Sequence, residues 1–242
     1  MDIKIDAAPL PDCVAAPAAP ASWVAPDRLP FGATLLTGLA GSPCEHRALA
    51  AVAASLVAGL AGEGEVFGVP AASQGALYVA LGARGGPRAA RALAAAVPEE
   101  AAAGVLFASV DAKLGPSLAR ALDGALSDPD FPRLVVVDGA QAGIEGKGRL
   151  AQAVAAISRV ASVHRAAVAV LVPLTRRNCM DVKSPATGVF EAADAVWEVY
   201  DVRDSSAKCV CTHRGGVSGF DVPLARRQAG PRPAADPPAP SE

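Results

Sequence analysis

Short, mainly apolar segments recur along the chain, and longer alanine-rich segments separate them. The clearest are ATLLT, ALYVAL, RLVVVD and AVAVLV, at residues 33–37, 76–81, 133–138 and 167–172. Strands this short and this apolar are typical of a parallel sheet whose two faces are both covered by helices. The alternation therefore predicts an α/β domain built on a mainly parallel sheet.

The segments between these strands predict the covering helices. Their alanine and leucine spacing favours helices at 45–61, 87–96, 114–126 and 148–164, with one more short strand at 104–108. Three further strands are expected at 195–200, 208–213 and 219–224. Because these last three follow one another closely, we expect an antiparallel extension at one edge of the sheet.

Length and composition indicate one sizeable domain with flexible ends. The chain has 242 residues, of which 52% are hydrophobic and only 4% aromatic, so the core must consist of Ala, Val and Leu. Proline and alanine dominate residues 1–30, which we expect to be a loosely ordered arm whose Trp23 docks onto the domain. The domain is expected at 31–227, and a disordered proline-rich tail at 228–242.

Charge and cysteine content exclude several classes of protein. A net charge of −2 provides no general attraction to nucleic acid, and no apolar run approaches the roughly 20 residues of a membrane span. The N-terminus has no basic start and no apolar core of a signal peptide, so a cytoplasmic location without membrane partners is expected. The five cysteines show no zinc spacing; Cys209 and Cys211 should share one face of a strand as reduced thiols.

Ligands of a parallel sheet bind beyond the carboxyl ends of its strands, and the first strand leads into a glycine-containing loop. A phosphate-binding loop reads G-x-x-x-x-G-K-[ST], and this loop can be aligned with it in two registers. If Gly38 is the first glycine, Pro43 replaces the second glycine, Cys44 the lysine and Glu45 the hydroxyl residue. Proline removes an N–H donor, and the glutamate places negative charge where phosphate would bind.

In the second register Gly41 leads and Ser42 follows it. His46 then replaces the second glycine, Arg47 the lysine and an alanine the hydroxyl residue, so one cation is retained and the metal ligand is lost. Two interpretations remain open: a strand-to-helix corner without nucleotide, or weak phosphate binding by the helix N-terminus with Arg47 or His46.

Other strand ends carry further candidates, each with a plainer structural alternative. Asp138 ends an apolar strand as a Walker B aspartate does, although aspartate is common in any turn. Arg84, in the turn after 76–81, could bind an anion but cannot be a general base. Arg176 and Arg177 either contact DNA or a neighbouring subunit, or belong to a solvated loop, and His213 with Arg214 lies in a predicted tight hairpin.

The order of these segments resembles the RecA-fold P-loop ATPases, most closely the hexameric plasmid replication helicases of the RepA type. It comprises the proline-rich arm, the strand with its phosphate-type loop, GALYVAL, RLVVVDGAQ, a long helix and AVAVLVPLTRR, over residues 22–225. The resemblance implies ATP and Mg²⁺ as ligands of an intact site, with Asp138 holding the metal through water. It also implies a hexamer and DNA as a partner, with Arg176, Arg177, His213 or Arg214 at an interface.

Apart from the Walker B-like strand that ends in Asp138, the chain departs from that family at its catalytic motifs. The family's glutamate after the second strand corresponds to Gly82, and its phosphate-sensing histidines correspond to the segment PLTRR. The expected function is therefore that of an accessory or assembly protein in DNA replication, recombination or repair, with weak or no ATP hydrolysis. The alternatives are an active hexameric ATPase that relies on Arg47 and Asp138, and a non-catalytic scaffold unrelated to DNA.

Overall fold

The structure is a computed structural model. It describes residues 23–38, 46–71, 75–82, 86–139, 144–145, 150–173, 187–203, 205–213 and 216–224. Predictions that concern the remaining residues lie outside this range.

Eight strands form the central sheet, and two short hairpins lie outside it. The sheet has the order β12-β11-β10-β3-β9-β8-β6-β7, and the hairpins are β1-β2 and β4-β5. The strands are β1 Trp23–Ala25, β2 Leu29–Pro30, β3 Gly32–Gly38, β4 Glu65–Val66, β5 Val69–Pro70, β6 Ala76–Leu81, β7 Val105–Val110, β8 Leu134–Asp138, β9 Ala167–Val172, β10 Ala195–Tyr200, β11 Ser206–His213 and β12 Gly216–Pro223.

The sheet is mainly parallel, as predicted, but its antiparallel part is smaller than expected. β10 pairs with β3 in parallel, with Ala195 opposite Thr34, and only β11 and β12 run antiparallel to their neighbours. A parallel neighbour requires a crossover of about a dozen residues or more, and the segment 173–194 before β10 provides that length. Only the later connections are short enough to act as hairpins.

Helices cover both faces of the sheet, which confirms the predicted layering. They are α1 His46–Gly62, α2 Gly86–Ala96, α3 Pro116–Leu126 and α4 Leu150–Val163. α1 and α2 pack with one face and α3 and α4 with the other, so alternate residues of a central strand enter two separate cores. In β6, for example, Tyr78 belongs to the first core and Leu77 to the second.

Residues 23–30, which the sequence places in the arm, form the β1-β2 hairpin and pack against the sheet. Val24, Ala25 and Leu29 are fully buried in the core on the α1 side. Trp23 packs edge-on against the His213 ring at a centroid distance of 4.8 Å, so the predicted docking of this tryptophan is confirmed.

Several local elements differ from the prediction. Glu99–Gly104 is a 3-10 helix and β4-β5 is a small hairpin, neither of which has a periodic signal in the sequence. α3 begins at Pro116 rather than at residue 114, because Leu114 forms a bridge with Ile144 and proline is well suited to the first helical turn. None of the helices within the described part of the chain is long and apolar enough to cross a membrane.

Candidate functional site

The carboxyl ends of four parallel strands lie side by side at one end of the sheet, and we call this end the carboxyl edge. β3, β9, β8 and β6 lie side by side there, and Thr37 near the end of β3 donates a hydrogen bond from Oγ1 to the carbonyl of Val172, 2.8 Å away. α1 begins at His46, beyond the end of β3. The edge therefore brings the start of α1 over the strand that ends in Asp138.

At this edge the Asp138 carboxylate is held by two side chains. His46 Nε2 lies 2.5 Å from Oδ1, and the Tyr78 hydroxyl donates to Oδ2 over 2.8 Å. The Asp138 side chain is 5% exposed, whereas that of His46 is 32% exposed. We call these three residues the His46–Asp138–Tyr78 cluster: an exposed imidazole with a buried carboxylate behind it and a buried phenol behind the carboxylate.

Strand register explains why these side chains converge. Tyr78 lies opposite Val136, and Ala80 lies opposite Asp138, so Tyr78 and Asp138 point to the same face of the sheet. That face is the one covered by α1. The phenol begins two residues below the carboxylate and extends along the strand to reach it.

Burial and the neighbouring charge keep Tyr78 protonated. Burial raises the pKa of the Tyr78 hydroxyl well above its usual value of 10.0, and the negative charge of Asp138 and their hydrogen bond raise it further. The phenol is thus a fixed neutral donor at physiological pH. With the Asp138 carboxylate as the acceptor, the His46 contact is a hydrogen bond donated from Nε2, and it becomes an ion pair when the imidazole is protonated.

The backbone after Asp138 requires glycine. Gly139 has a φ of +118°, and a Cβ at this position would lie 2.7 Å from the carbonyl oxygen of Leu81. The adjacent Gly82 donates from its N–H to the carbonyl of Val110 at 2.9 Å. The Gly82 bond therefore joins the end of β6 to β7, and the backbone that follows β8 passes so close to the end of β6 that only glycine fits there.

Described residues at this edge do not fit a magnesium site centred on Asp138. Both of its oxygens already accept hydrogen bonds from protein groups. Glu145, the next described acid along the chain, accepts bonds from the N–H and hydroxyl of Ser117 at the start of α3, and these bonds lower the pKa of its carboxyl. Within the described ranges, no three metal-binding side chains form a group.

Of the five sequence candidates in the described ranges, four lie near this edge and the fifth, His213, does not. His46 and Asp138 are in contact, and Gly38 ends the neighbouring β3. Arg47 follows His46 on α1 and is exposed, as a phosphate ligand would need to be. The remaining candidates lie outside the described residues: Gly41, Ser42, Cys44, Glu45, Arg84, Arg176, Arg177 and Arg214.

His213 lies at the opposite end of the strands, where the parallel strands begin. It pairs with Ala195 at the start of β10, whereas Asp138 ends its own strand. There His213 borders a cavity of about 280 Å³, together with Glu191, Asp194 and Thr212. Within one chain, His213 and Asp138 therefore cannot act on the same ligand.

Tyr78 is the member of the cluster that the sequence did not reveal. It stands in the middle of an apolar strand, where an aromatic residue is usually a core residue. Ala80 pairs with Asp138, and residues two apart in a strand share one face, so Tyr78 and Asp138 lie on the same face of the sheet. This relationship can be read from the sequence only if β6 and β8 are known to be neighbours.

No protein-family model matches this chain, and no curated protein matches it either. Function is therefore inferred from the geometry of the cluster and from the order of the elements.

Proposed function

We propose that the chain is a RecA/RepA-like protein that has kept the scaffold of a nucleotide-dependent ATPase and lost efficient hydrolysis. It serves as an accessory or assembly protein in DNA replication, recombination or repair. The observation that carries the loss of hydrolysis is the engagement of both Asp138 oxygens by His46 and Tyr78. In an active site of this type, the corresponding carboxylate holds Mg²⁺ through water.

The location of His46 strengthens the proposal. Its ring contacts Asp138 Oδ1 at the start of α1, so a metal-bound water would have to compete with this contact for that oxygen. Mg²⁺ gives up its own waters reluctantly and demands near-octahedral oxygen ligands, so it competes poorly with a hydrogen bond already formed inside the protein. The other oxygen, Oδ2, accepts the Tyr78 bond, so neither carboxylate oxygen is without a protein donor.

The scaffold part of the proposal is supported by the α/β layering and by the candidate residues at the carboxyl edge of the sheet. Its DNA-related part is supported by the resemblance in element order alone. A sheet that packs well does not require a working loop, because the two cores on its faces are built from residues of the strands and helices rather than from the phosphate-type loop.

Titration calorimetry tests the loss of nucleotide chemistry. ATP is titrated into the full chain with and without Mg²⁺, and ATP turnover is measured on the same samples. We expect no Mg²⁺-dependent binding and turnover at the buffer background. Tight Mg²⁺-dependent binding that disappears in Asp138→Asn would overturn the proposal in favour of an active ATPase.

His46→Ala is the informative companion variant, because it releases Asp138 Oδ1 while leaving the Tyr78 bond in place. If His46 is what blocks the metal, Mg²⁺ affinity should rise in this variant relative to the unmodified chain. Equal Mg²⁺ affinity in both would show that the block has another origin.

DNA binding is tested separately by fluorescence anisotropy with single- and double-stranded oligonucleotides over a salt series. An accessory DNA protein should bind at low salt and lose affinity as salt rises, because its phosphate contacts release counterions. No binding at low salt would favour a scaffold unrelated to DNA.

A further inference from the structure

The outer strand β7, at residues 105–110, is unusually exposed for a strand in this kind of sheet. It pairs with β6 on one side, and no described strand pairs with its other side. Leu106, Phe107 and Val110 are 46%, 39% and 37% exposed. An apolar edge strand with free backbone groups is a template for pairing with another strand.

Hydrogen bonding on the inner side shows which backbone groups face outward. The Val110 carbonyl accepts from Gly82 N–H at 2.9 Å, so it points towards β6. Because backbone groups alternate along a strand, Leu106 and Ala108 also point towards β6. Val105, Phe107 and Ser109 therefore present their carbonyl groups to the open side.

We propose that β7 is a homodimerisation edge, at which the β7 strands of two copies pair antiparallel about a two-fold axis. The sheets of the two copies then join into one continuous sheet. A two-fold arrangement uses the same strand twice and closes on itself. The proposal is independent of any nucleotide or DNA chemistry.

Charges at the two ends of β7 select a second copy in antiparallel orientation. Glu99 and Glu100 are exposed just before the strand, and Lys113 is exposed just after it, beside the exposed Asp111. Antiparallel pairing keeps the glutamates of the two copies apart, and brings those of each copy to the end of β7 at which the other copy carries Asp111 and Lys113, whose charges cancel. A parallel arrangement would set the glutamate pairs against each other, which is unfavourable.

Backbone geometry also selects the register. Only residues whose backbone N–H and carbonyl groups face the open side of β7 can form hydrogen bonds with the second copy. These residues form the largest number of pairs when the two-fold axis passes next to Phe107. Phe107 then faces its own copy, and Val105 faces Ser109. Since the Val105 N–H already donates to Ala102, this register provides four new bonds: two between the Phe107 residues and two from Ser109 N–H to Val105 carbonyls.

Sedimentation equilibrium of the full chain over a concentration series tests the dimer. The unmodified chain should pass from one to two chain masses, and Phe107→Lys should raise the dissociation constant at least tenfold. Val217→Lys is the matched control, because Val217 is a 69% exposed valine on β12 at the other edge of the same sheet. It should leave the dissociation constant unchanged.

Three results would overturn the proposal. They are a monomer at every concentration, an assembly that Phe107→Lys leaves intact, and an assembly that dissociates with Val217→Lys instead. The first of these results, a monomer at every concentration, is also the one expected if residues 1–22 of the same chain cover β7. Circular dichroism spectra and melting curves of each variant verify that it is folded.

Disulfide trapping tests the register. Across a hydrogen-bonded antiparallel pair the Cα atoms are about 5.5 Å apart, which suits a disulfide. Phe107→Cys should therefore form an oxidised dimer, whereas Ser109→Cys should not, because the two Ser109 residues are separated by roughly 13 Å along the strands. The unmodified chain, with its five cysteines, gives the background. Equal trapping of both variants, or of neither, would overturn the two-fold pairing at Phe107.

Discussion

His46 and Asp138 are 92 residues apart in the sequence, and His46 Nε2 lies 2.5 Å from Asp138 Oδ1. The contact joins the first residue of α1 to the last residue of β8. It converts a strand-end aspartate that could serve as a metal ligand into a structural acceptor for two donors. The stability of the fold should therefore depend on this aspartate and on Tyr78 behind it.

Tyr78→Phe should lower the free energy of unfolding by about 1.5–3 kcal/mol, the usual value of a hydrogen bond to a charged group. The buried Asp138 carboxylate would lose one of its two donors. Urea denaturation measures the change. Tyr200→Phe, at the end of β10, is the matched control and should stay within about 0.5 kcal/mol of the unmodified chain. Equal effects of the two substitutions would contradict the assigned bond.

Alkaline pH should destabilise the protein through Tyr78. Its pKa in the folded state lies above the usual value of 10.0, so the folded state keeps a proton that the unfolded state loses. The stabilisation is complete below pH 10 and declines above it, by up to about 1.4 kcal/mol per pH unit for one proton. Urea denaturation from pH 8 to 11 should show a steeper decline in the unmodified chain than in Tyr78→Phe. If the free energy of unfolding fell equally with pH in both proteins, the raised pKa of Tyr78 would be refuted.

Gly139→Ala should be strongly destabilising. The left-handed φ of Gly139 and the nearby Leu81 carbonyl leave no room for a methyl group, and strain of this kind amounts to about 1–3 kcal/mol or more. Gly124→Ala makes the same chemical change inside α3, where nothing lies within 4 Å of the added carbon, and should stabilise by about 0.5–1 kcal/mol. In thermal unfolding, the midpoint temperature should fall for Gly139→Ala and rise for Gly124→Ala. A shift in the same direction would be incompatible with the described backbone.

Cys211 should be unreactive in the native protein. Burial raises the pKa of its thiol to about 11, so almost no thiolate is present at pH 8. Iodoacetamide labelling at pH 8, followed by peptide mapping, should leave Cys211 unmodified until urea is added. Rapid labelling without urea would show that β11 is more accessible than the structure indicates.

Much of the fold could be predicted because its strands are short, apolar and separated by helices. The bounds of β6, β9 and β10 agree with the prediction: glycines flank β6, aspartates flank β10, and a proline follows β9. Pairing was harder to predict. β10 has the same residue types as an antiparallel edge strand, and only the crossover before it makes it a parallel neighbour of β3.

The site could be predicted only in part. Asp138 is the last residue of a strand and His46 is the first residue of a helix. Both positions can be recognised in the sequence, because the apolar pattern of the strand ends at Asp138 and that of the helix begins near His46. Their contact could not be foreseen, because it depends on which strand lies beneath the start of α1. Tyr78 was missed for the same reason: a tyrosine in an apolar strand looks like a packing residue until the neighbouring strand is known.

The position of β3 has a consequence for how the protein is made. β3 is synthesised early, yet both of its neighbours, β9 and β10, come late; Thr37 must wait for Val172, 135 residues further on. At typical translation speeds that interval lasts roughly 7–27 seconds. Throughout it, β3, whose seven residues are all buried in the folded protein, has no partner on either side, so a ribosome stall before the last third of the message would leave a fragment prone to aggregation.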